Sequence, residues 1–475
     1  MFRSAVAFAV LAALLLVTPV RAAAPTQTWL VMSDLHFDPF TQSKLVDRLA
    51  ATPANRWREV FASGAHLGPS GPGSDTNFTL LESALDGARN AAPDPRVVIL
   101  PGDFLAHDFR AKFDRTAKVH TDAAYDVFVD KTIAFLAWEI QTAFPRAQLL
   151  PVIGNNDGYC GDYASTPHGA FLAHMAADWA ASAGATSAQN FITQFSTGGY
   201  YTVPLPAEHA QAVVLNDVFW SPLYKNSCGD PKENPGAEEV AWVQRTQHAL
   251  PAGASVWFVA HIPPGIDVSS TLRVSKGAAL PIPLAVPFLT PDDNAAMIGA
   301  LDTSNTVMSV AAHTHMDSFR VIGPDPSTPR VPMLVVPAVS PVFGNAPAFT
   351  LLSVDPASAV VDDSQVFILS KIHDAWTWHR EYDFDSIYGR GPLDVAHLWN
   401  AQHAIFDDER VRRRFEEFYQ SGDGIAPVTE ATWRAYWCAN VALTPIQYDA
   451  CAMPQISPDD ETHPPIPSPS PTVSP

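Results

Sequence analysis

The chain has 475 residues, of which 47% are hydrophobic, and its formal net charge at pH 7 is −20. This length can bury a large core and holds one large α/β domain with an appendage, or two domains, which excludes a small disulfide-stapled scaffold. The negative charge argues against a nucleic acid duplex or an anionic membrane as partner, because both require a basic face.

The first 24 residues have the pattern of a secretory signal peptide. Arg3 forms a short positive region, residues 5–17 are apolar, and small residues around Ala22 supply a cleavage site. The apolar stretch is too short to cross a bilayer, and no later stretch is long enough. We therefore predict cleavage and a secreted or periplasmic protein without stable membrane insertion; an uncleaved membrane anchor is the alternative.

Export makes the four cysteines candidates for disulfides. An even number of cysteines in an oxidising compartment allows three pairings, and we favour Cys160 with Cys228 and Cys438 with Cys451. The sequence contains no CxxC pair, so a metal site built from cysteines is not expected.

Five apolar runs, each predicted to be a buried strand, stop directly before a residue that can bind a metal. The residues that follow the runs are, in chain order, Asp34, Asp103, Asn155, His261 and His313. The runs themselves are residues 28–33, 97–100, 148–153, 256–260 and 307–312. Because ligands of open α/β sheets bind beyond the carboxyl ends of the strands, we expect these residues to converge on one edge.

The remaining elements complete an α/β pattern and define the predicted domains. Strands are predicted at residues 212–217, 333–336 and 349–354, and helices at 77–91 (with Asn77 as N-cap), about 117–144, 392–418 and 427–440. From about Trp376 the composition becomes aromatic, charged and helical. We therefore divide the chain into a signal peptide (1–24), a large α/β domain (25–375), a C-terminal helical subdomain (376–453) and a disordered Pro/Ser-rich tail (454–475).

The polar residues at the strand ends collect into a candidate metal centre. The set combines carboxylates, imidazoles and one amide: Asp34, His36, Asp103, Asn155, His261, His313 and His315. Such a mixture suits two divalent ions, Zn²⁺ first and Mn²⁺ or Fe as alternatives, rather than Ca²⁺. Ions about 3.5–4 Å apart support in-line attack on phosphorus by a bridging hydroxide. A single histidine at a strand end is more often structural, but the joint occurrence argues for a metal centre.

Five motifs in a fixed order carry a family resemblance: DLH at 34–36, GDFLAH at 102–107, GNND at 154–157, HIPPG at 261–265 and AHTH at 312–315. They resemble the calcineurin-like metallophosphoesterases, and specifically the acid sphingomyelinase-like phosphodiesterases, over roughly residues 28–355. The resemblance implies two mixed β-sheets in a sandwich flanked by helices. It also implies that Asp34, His36, Asp103 and His315 bind one zinc, and that Asp103, Asn155, His261 and His313 bind the other. By the same resemblance, His107 protonates the leaving group or steadies the phosphoryl oxygens.

Two positions depart from the family pattern. Asn156 stands where the family has histidine, and Ala312 stands where it has glycine. Asn156 can donate a hydrogen bond to a phosphoryl oxygen, but it cannot transfer a proton near neutral pH. Protonation then falls to His107, or the leaving group needs little help, as in a phosphoanhydride. The change at Ala312 matters only if the backbone there requires a positive φ.

The resemblance implies an exported phosphodiesterase that hydrolyses small, soluble, anionic phosphate esters of nucleotide or phosphocholine type. We expect no Cys-rich saposin-like module before Trp29, which disfavours membrane sphingomyelin as substrate. One alternative is an endopolyphosphatase-like phosphoanhydride hydrolase, because GNND resembles those relatives, and another is a sphingomyelin phosphodiesterase. A non-catalytic protein that binds phosphate esters is a further, weaker alternative.

Overall fold

A computed structural model describes residues 25–184, 188–225, 234–274, 285–302, 305–422 and 428–452. The predicted signal peptide, the Pro/Ser-rich tail and Cys228 lie outside the described residues, and with Cys228 so does the predicted pairing of Cys160.

Strands in the described part of the chain form two six-stranded sheets. They are β1 (Gln27–Val31), β2 (Val97–Leu100), β3 (Gln148–Pro151), β4 (Tyr201–Pro204), β5 (Ala210–Val214), β6 (Ser255–Val259), β7 (Thr306–Ala311), β8 (Ser318–Ile322), β9 (Val331–Val335), β10 (Ala348–Val354), β11 (Val361–Ile372) and β12 (Ala375–Asp383). The strand orders are β12-β11-β10-β1-β2-β3 and β4-β5-β6-β7-β9-β8. Each sheet has a parallel part, β1-β2-β3 or β5-β6-β7-β9, that antiparallel strands extend. The predicted fold of two mixed sheets is confirmed.

Helices surround the sheets. In the described residues they are α1 (Val46–Ala51), α2 (Trp57–Ala62), α3 (Phe78–Ala91), α4 (Phe109–Thr116), α5 (Asp122–Ala143), α6 (Ala170–Trp179), α7 (Ala188–Gly198), α8 (Pro235–Ala249), α9 (Val268–Val274), α10 (Pro291–Leu301), α11 (Phe384–Tyr388), α12 (Val395–Asp407), α13 (Glu409–Phe418), α14 (Trp433–Ala439) and α15 (Pro445–Ala452). Short 3₁₀ turns occur at Ser43–Leu45, Ala54–Arg56 and Asp217–Trp220. None of these described helices combines the length and the apolarity that a membrane span needs.

The two predicted N-terminal helices are present, one of them in altered form. Asn77 caps α3 as expected, because its side chain accepts a hydrogen bond from the N–H of Leu80. The single helix expected at about 117–144 is α5, which begins five residues later than expected: Ala117 is extended at the end of α4, and Thr121 caps α5 by accepting from the N–H of Ala124. The N-cap at Thr121 therefore fixes a new helix start within the apolar pattern.

The core lies between the two sheets. All four residues of β2 are buried, as expected of a parallel strand that is covered on both faces. Trp29 of β1 and Trp257 of β6 are both fully buried, with ring centroids 4.6 Å apart, and so join the sheets at their centres. The same hydrophobic cluster continues into Trp437 of α14, which ties the C-terminal helices to the core.

The start of the C-terminal helical region differs from the sequence expectation. Residues from Ala375 to Asp383 form β12, which pairs with β11, and helix begins at Phe384 rather than near Trp376. No residue of β12 is fully buried, so its aromatic and charged residues reflect a strand that is exposed or half-buried along its length. The disulfide predicted between Cys438 and Cys451 is confirmed, with the two Cα atoms 5.8 Å apart.

Candidate metal centre

The predicted ligands converge where β1, β2, β3, β6 and β7 end. Potential ligand atoms form three groups in the described residues, each with its atoms within 4.8 Å of one another, and two of the groups consist of predicted ligands. The first group is Asp34, His36 and His315, and the second is Asp103, His261 and His313. The third group is His36, Asp75 and His107. Both sheets thus contribute to one centre, although its residues span 282 positions of the chain, from 34 to 315.

Spacings in the first group match those of ligands around one ion. His36 Nε2 lies 3.1 Å from His315 Nε2, and His315 Nε2 lies 3.5 Å from Asp34 Oδ1. Tetrahedral zinc ligands at about 2.0–2.1 Å from the metal lie roughly 3.3 Å from one another. Asp34 Oδ1 is also buried and has no hydrogen-bond partner. A cation would satisfy this orphaned oxygen.

The second group has the same spacing and shares a carboxylate with the first. His261 Nε2 lies 2.9 Å from Asn155 Oδ1, 3.3 Å from His313 Nδ1 and 3.4 Å from Asp103 Oδ2. Asp103 Oδ2 also lies 3.3 Å from His36 Nε2 of the first group. One carboxylate oxygen therefore stands between the two groups, in the position of a bridging ligand.

The backbone at this edge is unusual because five ligand residues have positive φ. The φ values are 47° at Asp34, 38° at His36, 55° at Asp103, 66° at His313 and 62° at His315. Such conformations cost of order 1–3 kcal/mol per non-glycine residue and cluster at functional sites. An extended chain would place Asp34 and His36 on the same side, because side chains two residues apart share a face of a strand. The chain is not extended at these residues, and both side chains still face the centre.

Neighbouring small residues make these turns possible. Gly102 has a φ of 97°, and a Cβ there would lie 2.7 Å from the backbone N of Gly154. Ala312 is not among the residues with positive φ, so alanine is accommodated at the position where the family has glycine.

Electrostatics shift the pKa values of His36, His315 and Asp103 toward the protonation states that metal binding requires, and those of Asp34 and His261 in the opposite direction. Burial lowers the pKa of His36 to about 4 and that of His315 well below its usual range, which keeps both imidazoles neutral. Burial opposes ionisation of Asp103, but the charge of His261 holds the pKa of this carboxyl well below its usual range. Neutral imidazole and ionised carboxylate are the metal-binding forms. Burial lowers the pKa of His261, but Asp103 outweighs it and raises this pKa to about 10, so a cation would displace a proton from His261.

Further carboxylates, which the sequence did not single out, orient the ligands. Asp162 Oδ1 accepts a 2.7 Å hydrogen bond from Asn155 Nδ2, so the oxygen of this amide is the atom directed at His261. Asp157, the last residue of the GNND motif, accepts from the N–H groups of Phe104 and Gly154 and so ties the β2 and β3 loops together. Such partners of metal ligands fix their orientation.

His107 is held beside the centre by Asp75. The His107 ring stacks on that of His36, with centroids 4.1 Å apart, and its Nδ1 donates to Asp75 Oδ1 at 2.8 Å. Lys112 Nζ donates to Asp75 Oδ2 at 2.6 Å and to Asp38 Oδ2 at 2.8 Å. Burial lowers the pKa of His107, but the hydrogen bond and charge of Asp75 outweigh it and raise the pKa above its usual value. This pairing favours a protonated His107, with Nδ1 rather than Nε2 directed at Asp75.

Asn156 contacts the shared carboxylate. Its backbone N–H donates to Asp103 Oδ1 at 2.7 Å, and its side-chain Nδ2 donates to Asp103 Oδ2 at 2.9 Å. Asn156 therefore holds both oxygens of Asp103, one through its backbone N–H and the other through its side-chain amide. A direct hydrogen bond from Asn156 to a phosphoryl oxygen, as the sequence suggested, stays a prediction.

Aromatic side chains line the rim of the centre. Tyr163 Oη lies 3.3 Å from His313 Nε2, and the Phe288 ring lies 5.6 Å from that of His313. On the other side, the Phe343 ring contacts His315 and His107. These residues come from irregular segments, where no periodicity marks them.

Comparison with known proteins finds relatives by sequence similarity and by similarity of structure. No family model matches the chain. It is 27% identical over 327 residues to sphingomyelinase phosphodiesterase D of Dictyostelium discoideum, covering 66% of each chain. It is 24% identical over 449 residues to cyclic GMP-AMP phosphodiesterase SMPDL3A of Mus musculus, covering 91% of this chain and 92% of the relative. Among solved structures, a dimetal phosphatase from Danio rerio aligns with a TM-score of 0.40 at 12% identity, over 72% of this chain and 96% of that chain.

Proposed function

We propose that this chain is an exported enzyme that hydrolyses soluble phosphodiesters of nucleotide or phosphocholine type. Its relatives in sequence are phosphodiesterases, which supports a metal-dependent phosphoric ester hydrolase. We further propose that its two divalent ions are Zn²⁺. The leader pattern of the sequence and the disulfide between Cys438 and Cys451 support export.

One observation carries the proposal: Asp103 Oδ2 lies 3.3 Å from His36 Nε2 and 3.4 Å from His261 Nε2. A carboxylate oxygen equidistant from two imidazole groups is the arrangement that two neighbouring cations need. An isolated structural carboxylate would need only one such partner.

The chemistry divides between the ions and the chain. Two bound cations supply polarisation of the phosphoryl oxygens and a water of lowered pKa. Asp103 and its partners fix where the phosphate is held, and Asn156 keeps the Asp103 carboxylate in place. His107, protonated and oriented by Asp75, delivers a proton from Nε2 to the leaving oxygen.

The number of proton donors at the centre and the named relatives bear on the choice of substrate. With asparagine at position 156, His107 is the proton donor that the proposal assigns to the leaving group. The name of the mouse relative denotes a nucleotide diester as its substrate, which supports a nucleotide-type substrate for this chain as well. A phosphoanhydride, whose leaving group needs little protonation, is the second candidate because of the GNND motif.

The test is a hydrolysis panel on protein loaded with two equivalents of zinc. Cyclic GMP-AMP and p-nitrophenyl phosphocholine, which are soluble diesters, are offered beside polyphosphate and sphingomyelin vesicles. The wild type is compared with Asp103→Asn and with Asp86→Asn, which removes an exposed carboxylate on α3. We expect turnover of the two soluble diesters in preference to polyphosphate and vesicles, near-background activity for Asp103→Asn and full activity for Asp86→Asn.

Other outcomes identify the alternatives. Preference for polyphosphate would indicate the anhydride hydrolase, and preference for vesicles would indicate a sphingomyelin phosphodiesterase. A zinc-loaded protein that binds these esters tightly without turnover would overturn the enzyme proposal in favour of a phosphate-ester-binding protein.

A further inference from the structure

Phe343 is a large apolar side chain that is exposed directly at the metal centre. Its side chain is 55% exposed. Its ring centroid lies 4.6 Å from that of His315 and 5.6 Å from that of His107, and the ring stands nearly perpendicular to both imidazoles, at 72° and 82°. Phe343 thus touches one candidate metal ligand and the proposed proton donor while more than half of its surface stays free.

The ring is held by the backbone that also positions the ligands. The N–H of Ser340 donates to the carbonyl of Asp34 at 3.1 Å, and the carbonyl of Pro341 accepts from the N–H of Gly73 at 3.1 Å. Asn345 Nδ2 donates to the carbonyl of Ser340 at 3.0 Å and closes the loop across Phe343. The exposed ring therefore belongs to a bonded loop whose position is fixed relative to Asp34.

From this placement we propose that Phe343 is a substrate-binding residue, on which the base of a nucleotide phosphodiester stacks while its phosphate lies at the metal centre. The inference rests on the proposed function and assigns the substrate class to nucleotides. Burying the free surface of Phe343 against substrate supplies binding energy next to the reacting phosphate.

A flat base suits this surface better than a flexible chain. A fixed aromatic ring complements another flat ring and loses little conformational freedom on binding. Stacking of this kind tolerates any base, since every base has a π-face. A choline headgroup is recognised by a cage of several aromatic rings, whereas the described rings in contact with Phe343 are the imidazoles of His107 and His315. An acyl chain needs only apolar contact, which an aliphatic residue could supply in place of Phe343.

The test compares two esters that differ only in the base. Adenosine 5′-phosphate methyl ester is paired with the same phosphate methyl ester on 1-O-methylribose, and hydrolysis is followed by phosphorus NMR. The zinc-loaded variants are Phe343→Ala, Phe343→Leu and Phe343→Trp, with Trp376→Ala as an exposed aromatic control on β12.

We expect wild type to prefer the base-bearing ester, and Phe343→Ala to lower its kcat/KM by about 10- to 100-fold, mainly through KM, as for loss of one base stack. The baseless ester should change less than about twofold. Phe343→Trp should retain the preference, Phe343→Leu should resemble Phe343→Ala, and Trp376→Ala should behave as wild type.

Three results would overturn the inference while leaving the proposed function intact. Equal losses on both esters would mean that Phe343 only supports His107 and His315. Full activity of Phe343→Leu would indicate plain apolar contact, and equal wild-type activity on both esters would exclude base recognition. If zinc-loaded wild type hydrolyses neither ester, the proposed function itself fails.

Discussion

At the residue scale, the proposed proton donor His107 is hydrogen-bonded to the carboxylate of Asp75. Asp75 accepts from its ring Nδ1 and, at 3.1 Å, from its backbone N–H. Because Asp75 raises the pKa of His107, the protonated and active form persists to higher pH than for a free histidine. Asp75→Asn should therefore move the basic limb of kcat/KM against pH to lower pH, and lower kcat for alkyl esters by about 10- to 100-fold.

The leaving group supplies the control for this prediction. A p-nitrophenolate leaves without protonation near neutral pH, so Asp75→Asn should have little effect on a p-nitrophenyl ester measured in parallel. Equal losses on both ester classes, with an unchanged pH profile, would show that Asp75 is needed only for folding of the loop.

A second test at this scale asks whether the Asn156 side chain supports Asp103 or contacts substrate. If its main task is the bond to Asp103, Asn156→Ala should weaken zinc affinity by about 10- to 100-fold, with little change in KM once zinc is saturating. Competition with a fluorescent chelator measures the affinity, and the exposed Asn55→Ala serves as control. A raised KM at unchanged zinc affinity would instead place the amide on substrate, as the sequence suggested.

At the element scale, the close approach of the β2 and β3 loops depends on Gly154. A Cβ at Gly154 would lie 2.2 Å from both the backbone N and the Oδ1 of Asp103, which leaves no room for alanine. Gly154→Ala should lower the free energy of unfolding by about 1–3 kcal/mol and displace the shared carboxylate. Urea unfolding and zinc content of the purified protein measure both effects.

Gly158, four residues further on, is the matched control. A Cβ there would meet only the carbonyl oxygen of Ala164, at 3.5 Å. Gly158→Ala should therefore leave stability and zinc content nearly unchanged. Equal stability of the two variants would mean that the loops can separate without harm to the site.

Elements whose pattern is strong were predictable, and those defined by tertiary contact were not. The buried strands β1, β2, β3, β6 and β7 follow from apolar runs, and their shared edge follows from the geometry of parallel strands. Strand β12 escaped prediction because its residues, none of them fully buried, have the aromatic and charged composition of a helix surface. Asp75, Asp162 and Phe343 reach the centre from loops, so only the fold reveals them.

At the scale of the whole molecule, the metal centre joins the two sheets. Asp34, Asp103 and Asn155 follow strands of the first sheet, whereas His261 and His313 follow strands of the second. Without cations, the buried carboxylates and imidazoles face one another, and burial raises the pKa of Asp34 to about 7. Bound ions should therefore stabilise the association of the two sheets, in addition to polarising the phosphoryl oxygens of a substrate.

Chelation tests this link between sheets. An ion present at 100 times its Kd stabilises the fold by about 2.7 kcal/mol, so removal of two zinc equivalents should lower the Tm clearly and re-addition should restore it. Differential scanning calorimetry with metal analysis measures both quantities, and Asp103→Asn should show a smaller response because it binds the ions less well. Loss of both ions at constant Tm would contradict stabilisation of the two sheets by the ions. Removing the ions leaves buried charges from both sheets uncompensated, which should lower the free energy of unfolding.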